Sequence, residues 1–391
     1  MKKVAFIAPT YPVLSETFVQ TEVEAIESCG HSVCVLTFTI EKSETDFDYP
    51  VIKIGDDVPL TKLASISPLG LFRALTFIAQ QTSLPKRSLF GYGLKLALQL
   101  ADMNVQHVHA HFCQHTAAHA IVAAKLLNIS CSFVAHGHDV YESAFDVEQK
   151  ILACDFVVAV CQDMASNFKA TTNEKVNRNI KLLHCGVHTH QLPFGNKPIR
   201  APLHFIFLGR LVEQKGINYL LEALSPIAQP LNIHLDIVGS GRLESELRWQ
   251  VKQLGLQRNV HFLGAKTHEW VKTHLSHYDC LVAPFCVSQT GNVDTGPLVL
   301  KEAMAVGTPV ITTDIMGCKE IVTDETGFLV NEKDSVDLGL RIEQFAQLSR
   351  KDRESIGLRA RKRVLKHFDA FKQAQQLSFW IENPNSSNEL I

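Results

Sequence analysis

Val293–Asp314 reads VDTGPLVLKEAMAVGTPVITTD. Asp294, Thr295 and Gly296 form an acidic, small-residue turn that leads into Pro297. Proline suits the first turn of a helix, where its missing N–H is not needed. Leu298–Val306 carries apolar residues at helical spacing with Glu302 inside the run, and Gly307 ends it. Pro309–Thr313 (PVITT) then reads as a buried strand. A helix handing over to a short apolar strand is one step of an alternating α/β repeat. A parallel sheet follows if that step recurs along the chain.

It does recur. Val4–Pro9, Ser32–Phe38, Val51–Ile54, His107–Phe112, Ser130–His136, Phe156–Val160 and Ile180–His184 are short apolar runs suited to parallel strands. Helical spacing covers Thr17–Cys29 and Thr116–Leu127 between them. Pro193–Pro202 (PFGNKPIRAP) has linker composition. The pattern then restarts with strands at His204–Gly209, Leu235–Gly239, Val260–Gly264, Cys280–Phe285 and Thr326–Val330, and helices at Ile217–Leu224 and Glu244–Leu254. The expectation is an α/β chain of two doubly wound, Rossmann-like domains facing a central cleft. Residues 1–195 form the first domain and 203–368 the second. Residues 369–391 read as a last amphipathic helix that packs on the second domain or crosses back to the first.

A chain of 391 residues with 46% hydrophobic and 20% charged residues has the composition of a globular protein. A net charge of −2 gives no basic excess for nucleic acid. The ten cysteines show no CxxC pairs and no Cys/His spacing of a zinc site, which reads as reduced, buried thiols in the cytoplasm. MKKVAFIAPTYP reads as a first strand rather than a signal peptide, and no apolar stretch approaches the roughly 20 residues of a membrane span.

Ligands in doubly wound sheets bind beyond the carboxyl ends of the strands. Gly209–Gly216 (GRLVEQKG) puts Arg210 and Lys215 there, right after the strand that Gly209 ends. Arginine offers a planar fork to phosphate oxygens and lysine a point charge. Gly296, Pro297 and Leu298 open a helix whose free amides make an anion site, and Gly296 permits close backbone approach. Asp294 and Glu302 flank that site as acceptors for sugar hydroxyls, Glu302 for a ribose. The plain structural readings are a turn residue for Asp294 and a surface charge for Glu302.

DTGPLVLKEAMAVGTPVI resembles the acid–seven residues–glutamate signature of the retaining glycosyltransferases of family four, which have the GT-B fold. GRLVEQKG is similar to that family's donor-phosphate loop. SETFVQTEVEAIESCGH, HVHAHF, VAHGHDVY and IVGSGRLESEL fall in the family's order and spacing, and the first is similar to bacterial members that build exopolysaccharide or lipopolysaccharide. The resemblance implies sugar transfer from a nucleoside-diphosphate sugar to a hydroxyl of a glycan or lipid-linked acceptor. Arg210 and Lys215 match the pair that neutralises the leaving diphosphate, Glu302 the ribose ligand, and Asp294 the acid on the donor sugar. Asp294 stands where most members have glutamate, and Thr295 where glycine is usual; both bear on the choice of sugar. His136 matches a histidine near the reacting sugar, and Ser15, Glu16 and Thr17 match a loop facing donor phosphates and acceptor. Two other readings are a non-catalytic nucleotide-sugar-binding relative and another GT-B enzyme such as a nucleotide-sugar epimerase.

No cofactor is expected, because cations and a helix dipole replace a metal. His107, His109 and His111 alternate on one strand face, but neighbouring same-strand residues diverge too far for easy tetrahedral closure. His111 is expected near the acceptor or at the strand end. Val58–Ala101 lacks any acidic residue but holds Lys62, Arg73, Lys86, Arg87 and Lys95 among many apolar side chains. Pro68–Gln80 and Arg87–Leu100 read either as amphipathic helices lying on the inner face of a membrane or as ordinary helices packed on the first sheet.

Overall fold

The structure is a computed structural model that describes residues 1–13, 15–42, 46–173, 179–195, 202–384 and 386. The chain forms two compact units, Met1–Gly186 with Ala370–Ile391, and Val187–Asp369.

Unit 1 runs β1 (Lys3–Tyr11), α1 (Thr17–Ser28), β2 (Ser32–Ile40), β3 (Val51–Lys53), α2 (Pro68–Gln80), α3 (Lys86–Asp102), β4 (His107–His111), α4 (His115–Leu127), β5 (Ser130–Ala135), α5 (Val147–Ala153), β6 (Phe156–Ala159), α6 (Gln162–Thr171) and β7 (Ile180–Leu182). Its sheet has the order β3-β2-β1-β4-β5-β6-β7. Every pairing is parallel. The apolar runs become strands because helices cover both faces of the sheet: Val4–Ile7 of β1 are wholly buried.

Unit 2 runs β8 (Leu203–Leu208), α7 (Ile217–Leu224), β9 (Ile233–Val238), α8 (Glu244–Gln253), β10 (Val260–Gly264), α9 (His268–His274), β11 (Cys280–Ala283), α10 (Leu298–Ala305), β12 (Val310–Thr313), α11 (Cys318–Ile321), β13 (Phe328–Val330), α12 (Ser335–Gln347) and α13 (Arg350–His367). Its sheet, also parallel, has the order β10-β9-β8-β11-β12-β13. The strand order reverses at β1/β4 in unit 1 and at β8/β11 in unit 2. Those are the switch points where a doubly wound sheet opens a crevice.

The crossing into unit 2 comes earlier than the expected linker. Val187 N–H donates to Phe368 O (2.9 Å), and Leu192 is buried in the core of unit 2. The stretch ahead of Pro193 is therefore tied down by packing. Residues 196–201 of the expected linker lie outside the described residues. The last helix, α14 (Ala370–Glu382), buries Ala370, Ala374, Leu377, Trp380 and Ile381. It packs in unit 1 against α1, with Trp380 on Phe156 and His31 Nε2 2.8 Å from Ser378 Oγ.

The basic, apolar stretch of unit 1 divides. Helix α3 buries Leu89, Leu96, Ala97, Leu98 and Leu100, so it is a packed helix rather than a surface one. Helix α2 buries Ala74, Phe77 and Ile78 but leaves Leu69, Phe72 and Leu75 about half exposed or more, at 57%, 68% and 47%. Among the described residues no helix is long and apolar enough to cross a membrane.

Gly216, in the loop ahead of α7, has φ +64°, and a Cβ there would run into Pro284 O. An alanine would add left-handed strain of about 1–2 kcal/mol to that collision. Gly216→Ala is expected to lower the unfolding free energy by about 2 kcal/mol or more, read by denaturant or thermal unfolding.

Candidate active site

In unit 2 the chain leaves β8 at Gly209, whose N–H donates to Val238 O (3.0 Å). A short 3-10 turn, Glu213–Lys215, follows. It places the Lys215 ammonium 4.8 Å over the Phe285 ring and 2.9 Å from Asp294 Oδ1. Phe285 is set by the end of β11, its carbonyl accepting from Thr313 Oγ1 (2.6 Å). One loop at each strand of the switch point thus meets around a single cation. Both side chains of the pair are mostly shielded from water, at 12% and 22% exposure, so their attraction is screened less than at an open surface. Asp294 Oδ2 is buried and makes no hydrogen bond.

Gly296 and Pro297 lead directly into α10, which starts at Leu298 with no side-chain cap. The first amides of α10 are therefore left for an anion. Glu302 is 8% exposed, not a surface charge. His268 Nε2 sits 3.0 Å from its Oε1. A carboxylate can only accept there, so His268 donates. Thr295 is buried as well, its carbonyl packed on Gly317. Arg210 is exposed and has no side-chain partner among the described residues.

In unit 1 Ser15 lies in the turn before α1, Glu16 at the helix boundary, and Thr17 is the first helical residue. Phe18 brings its ring within 4.3 Å of the His136 ring, and Phe112 comes within 4.8 Å. His111, at the end of β4, stacks parallel on His136, 5.8 Å between centroids. His136 Nε2 is buried without a hydrogen bond. Burial, and secondarily His111, push the His136 ring down to about 3, so it is a neutral imidazole near pH 7.

Asp139 fixes this corner: its carboxylate accepts from the backbone N–H of Cys113 (2.5 Å) and of His136 (2.8 Å). Burial pushes its carboxyl up to about 7, against the pull of those N–H groups. Two features had no local sequence signal. His268 lies 34 positions from Glu302, and Glu22 of α1 reaches both His109 (3.1 Å) and His111 (3.3 Å). Of the alternating histidines, His109 and His111 converge on a carboxylate that a second element, α1, supplies, while His107 pairs with Ser130 and Ser132.

Residues 194–363 match the model of the family Glycosyl transferases group 1. Over 411 aligned positions the chain is 26% identical to WcaL of Salmonella typhimurium, assigned as a colanic acid biosynthesis glycosyltransferase, covering 97% of this chain and 99% of that one. AmsK of Erwinia amylovora, an amylovoran biosynthesis glycosyltransferase, is 28% identical over 47% of this chain and 46% of its own. Among solved structures, HepE of Anabaena in complex with UDP-glucose superposes with TM-score 0.71 at 17% identity, over 98% of this chain and 100% of that one. The chain is a GT-B glycosyltransferase. The family match in this glycosyltransferase spans nearly all of unit 2, the unit that holds Lys215, Asp294 and α10.

Asp139 gives the glycosyltransferase a measurable pH signature. An unfolded aspartate titrates near 4, this one near 7. Between those values the folded state keeps a proton that the unfolded chain has lost. The Asp139 contribution is therefore full below about pH 4 and lost as pH rises through about 7. Buried histidines such as His136 and His119 act in the opposite sense, so the comparison has to be differential. The melting temperature of the wild type minus that of Asp139→Asn is expected to fall as pH is raised from 4 to 8; a flat difference contradicts the shift.

Proposed function

We propose that this glycosyltransferase belongs to the retaining family four and transfers a sugar from a nucleoside-diphosphate sugar to a hydroxyl of a glycan or lipid-linked acceptor in cell-surface polysaccharide assembly. The relatives support the class of reaction: HepE was solved with UDP-glucose, and WcaL and AmsK are assigned to exopolysaccharides. The single observation that carries the reading is the Lys215–Asp294 pair beside the uncapped start of α10.

In the reaction the bond from the anomeric carbon to the phosphate oxygen breaks and one to the acceptor oxygen forms. The acceptor's proton passes to the departing phosphate. Negative charge grows on the diphosphate, where Lys215, Arg210 and the α10 amides receive it. Lys215 is held by Asp294 and Phe285 before the donor arrives, so it needs little reorganisation as charge develops. Asp294 Oδ2, a buried acceptor without a donor, takes a hydroxyl of the transferred sugar. Glu302, braced by His268, takes the ribose hydroxyls. Gly209 and Gly296 keep side chains away from the phosphates. In unit 1 neutral His136 offers Nε2 to the reacting sugar, and Ser15, Glu16, Thr17 and His111 border the acceptor.

The acceptor reading extends to the membrane. The outer apolar face of α2, with Leu60 and Leu63 just before it, lies in the stretch that holds Lys62, Arg73, Lys86, Arg87 and Lys95 and no acid. That combination suits peripheral contact with an anionic lipid surface on the cytoplasmic side.

Lys215→Ala and Glu302→Ala are each expected to reduce transfer at least about 100-fold with an unchanged circular dichroism spectrum. Near-normal transfer by either variant overturns the assignment. In a flotation assay the wild type is expected to rise with vesicles containing anionic lipid, and Leu69→Glu with Phe72→Glu to stay below. A wild type that stays at the bottom removes the membrane from the proposal.

A further inference from the structure

Two positions apart on β4, His109 and His111 turn their buried rings toward Glu22. Glu22 Oε1 lies at hydrogen-bonding distance from both Nε2 atoms, yet off the N–H axis of each ring. None of the three atoms makes a directed hydrogen bond. An oxygen so placed sits where a second ligand sits when both atoms bind one ion.

The hydroxyls behind the rings fix which nitrogen carries hydrogen. Ser130 Oγ donates to Gln106 O (3.2 Å), so it accepts from His107 Nδ1 (2.8 Å). His107 Nε2 then bears a lone pair and takes the Ser132 hydroxyl hydrogen (2.8 Å). Ser132 Oγ, its one hydrogen used, accepts from His109 Nδ1 (2.7 Å). A neutral ring carries a single hydrogen, so His109 Nε2 is left with a lone pair facing a carboxylate oxygen. Two facing lone pairs in a buried place call for something positive between them.

We propose that Glu22 Oε1, His109 Nε2 and His111 Nε2 bind one divalent transition-metal ion of the zinc class. A tetrahedral ion with bonds of roughly 2.0–2.1 Å separates its ligand atoms by about 3.3 Å. The two carboxylate–imidazole separations here are 3.1 and 3.3 Å. All three atoms lie within 4.8 Å of one another. Two imidazoles and one carboxylate are a ligand set for zinc and its neighbours, and three protein ligands leave a fourth position for water. Ser132 is the outer partner that a metal-bound histidine uses to fix its ring. A groove lined by Phe18, Thr21, Glu22, His184 and Gln373 reaches Glu22. The ion ties α1, which begins at Thr17, to the end of β4 and so steadies the turn ahead of it that carries Ser15 and Glu16. The ion's ligands all belong to unit 1, whereas Lys215 and Arg210 belong to unit 2.

The full-length protein, stripped with chelator and dialysed, is titrated with zinc chloride, and metal retained after desalting is counted by mass spectrometry. One equivalent is expected, with a raised melting temperature. Cobalt chloride is expected to give visible ligand-field bands without a thiolate charge-transfer band, which separates this site from the ten cysteines. Glu22→Gln is expected to weaken zinc at least about tenfold. Ser132→Ala, which keeps all three ligands, weakens it too and decides the matter if Glu22→Gln does not fold. A folded wild type that retains no zinc overturns the proposal and leaves a proton, an imidazolium at His109, between the groups. Unchanged affinity in the folded variants overturns it as well.

Discussion

In a parallel sheet all strands end on one side, and only where the winding reverses do neighbouring loops part. That constraint decides where chemistry stands in both units. At β8/β11 it delivers Lys215 from one loop and Phe285 and Asp294 from the other to one point. At β1/β4 it gathers Phe18, His111 and His136. In unit 2 the core clusters beneath the loops are built of aliphatic and aromatic side chains. They give those loops a rigid base.

Several polar atoms at these points are left unsatisfied, and that is their chemical content. A buried donor or acceptor without a partner costs about 1–3 kcal/mol. Asp294 Oδ2 and His136 Nε2 both carry that cost. Ordinary packing would have removed it by a small rotation or a substitution. Here neighbouring contacts hold the groups in place: the Lys215 ammonium on Asp294, and the rings of Phe18 and Phe112 on His136. Both groups are therefore oriented in advance, and a ligand that met them would lose less entropy on association.

Much of this was legible in the sequence. The strands announced themselves as apolar runs because a sheet covered on both faces needs them. Lys215, Asp294 and α10 lay in motifs close enough along the chain to be read locally. What escaped notice depends on distant partners. Helix α13 is so highly charged that only Gly357, Ala360 and Val364 are buried, and no apolar stripe marks it. His268 and Glu22 gain meaning only from Glu302 and from the β4 histidines. Of the two readings open for α3, membrane surface or packed helix, the structure has the packed one: Gly93 lets it press onto Val122 of α4. The stretch before Pro193 carried no sign that Leu192 would be buried on the far side of the crossing.

The position of α14 has a consequence for biosynthesis. Unit 2 is one unbroken span of chain, whereas unit 1 takes its closing helix from beyond residue 369. On the ribosome the first strands appear early, but Trp380, which covers Phe156 and lies beneath the Lys181 ammonium, is made only after the whole of unit 2. The lobe translated second can close its core while the lobe translated first still waits. This inverts the usual vectorial order. Until α14 emerges behind unit 2, the nascent chain shows an unfilled apolar seam along α1.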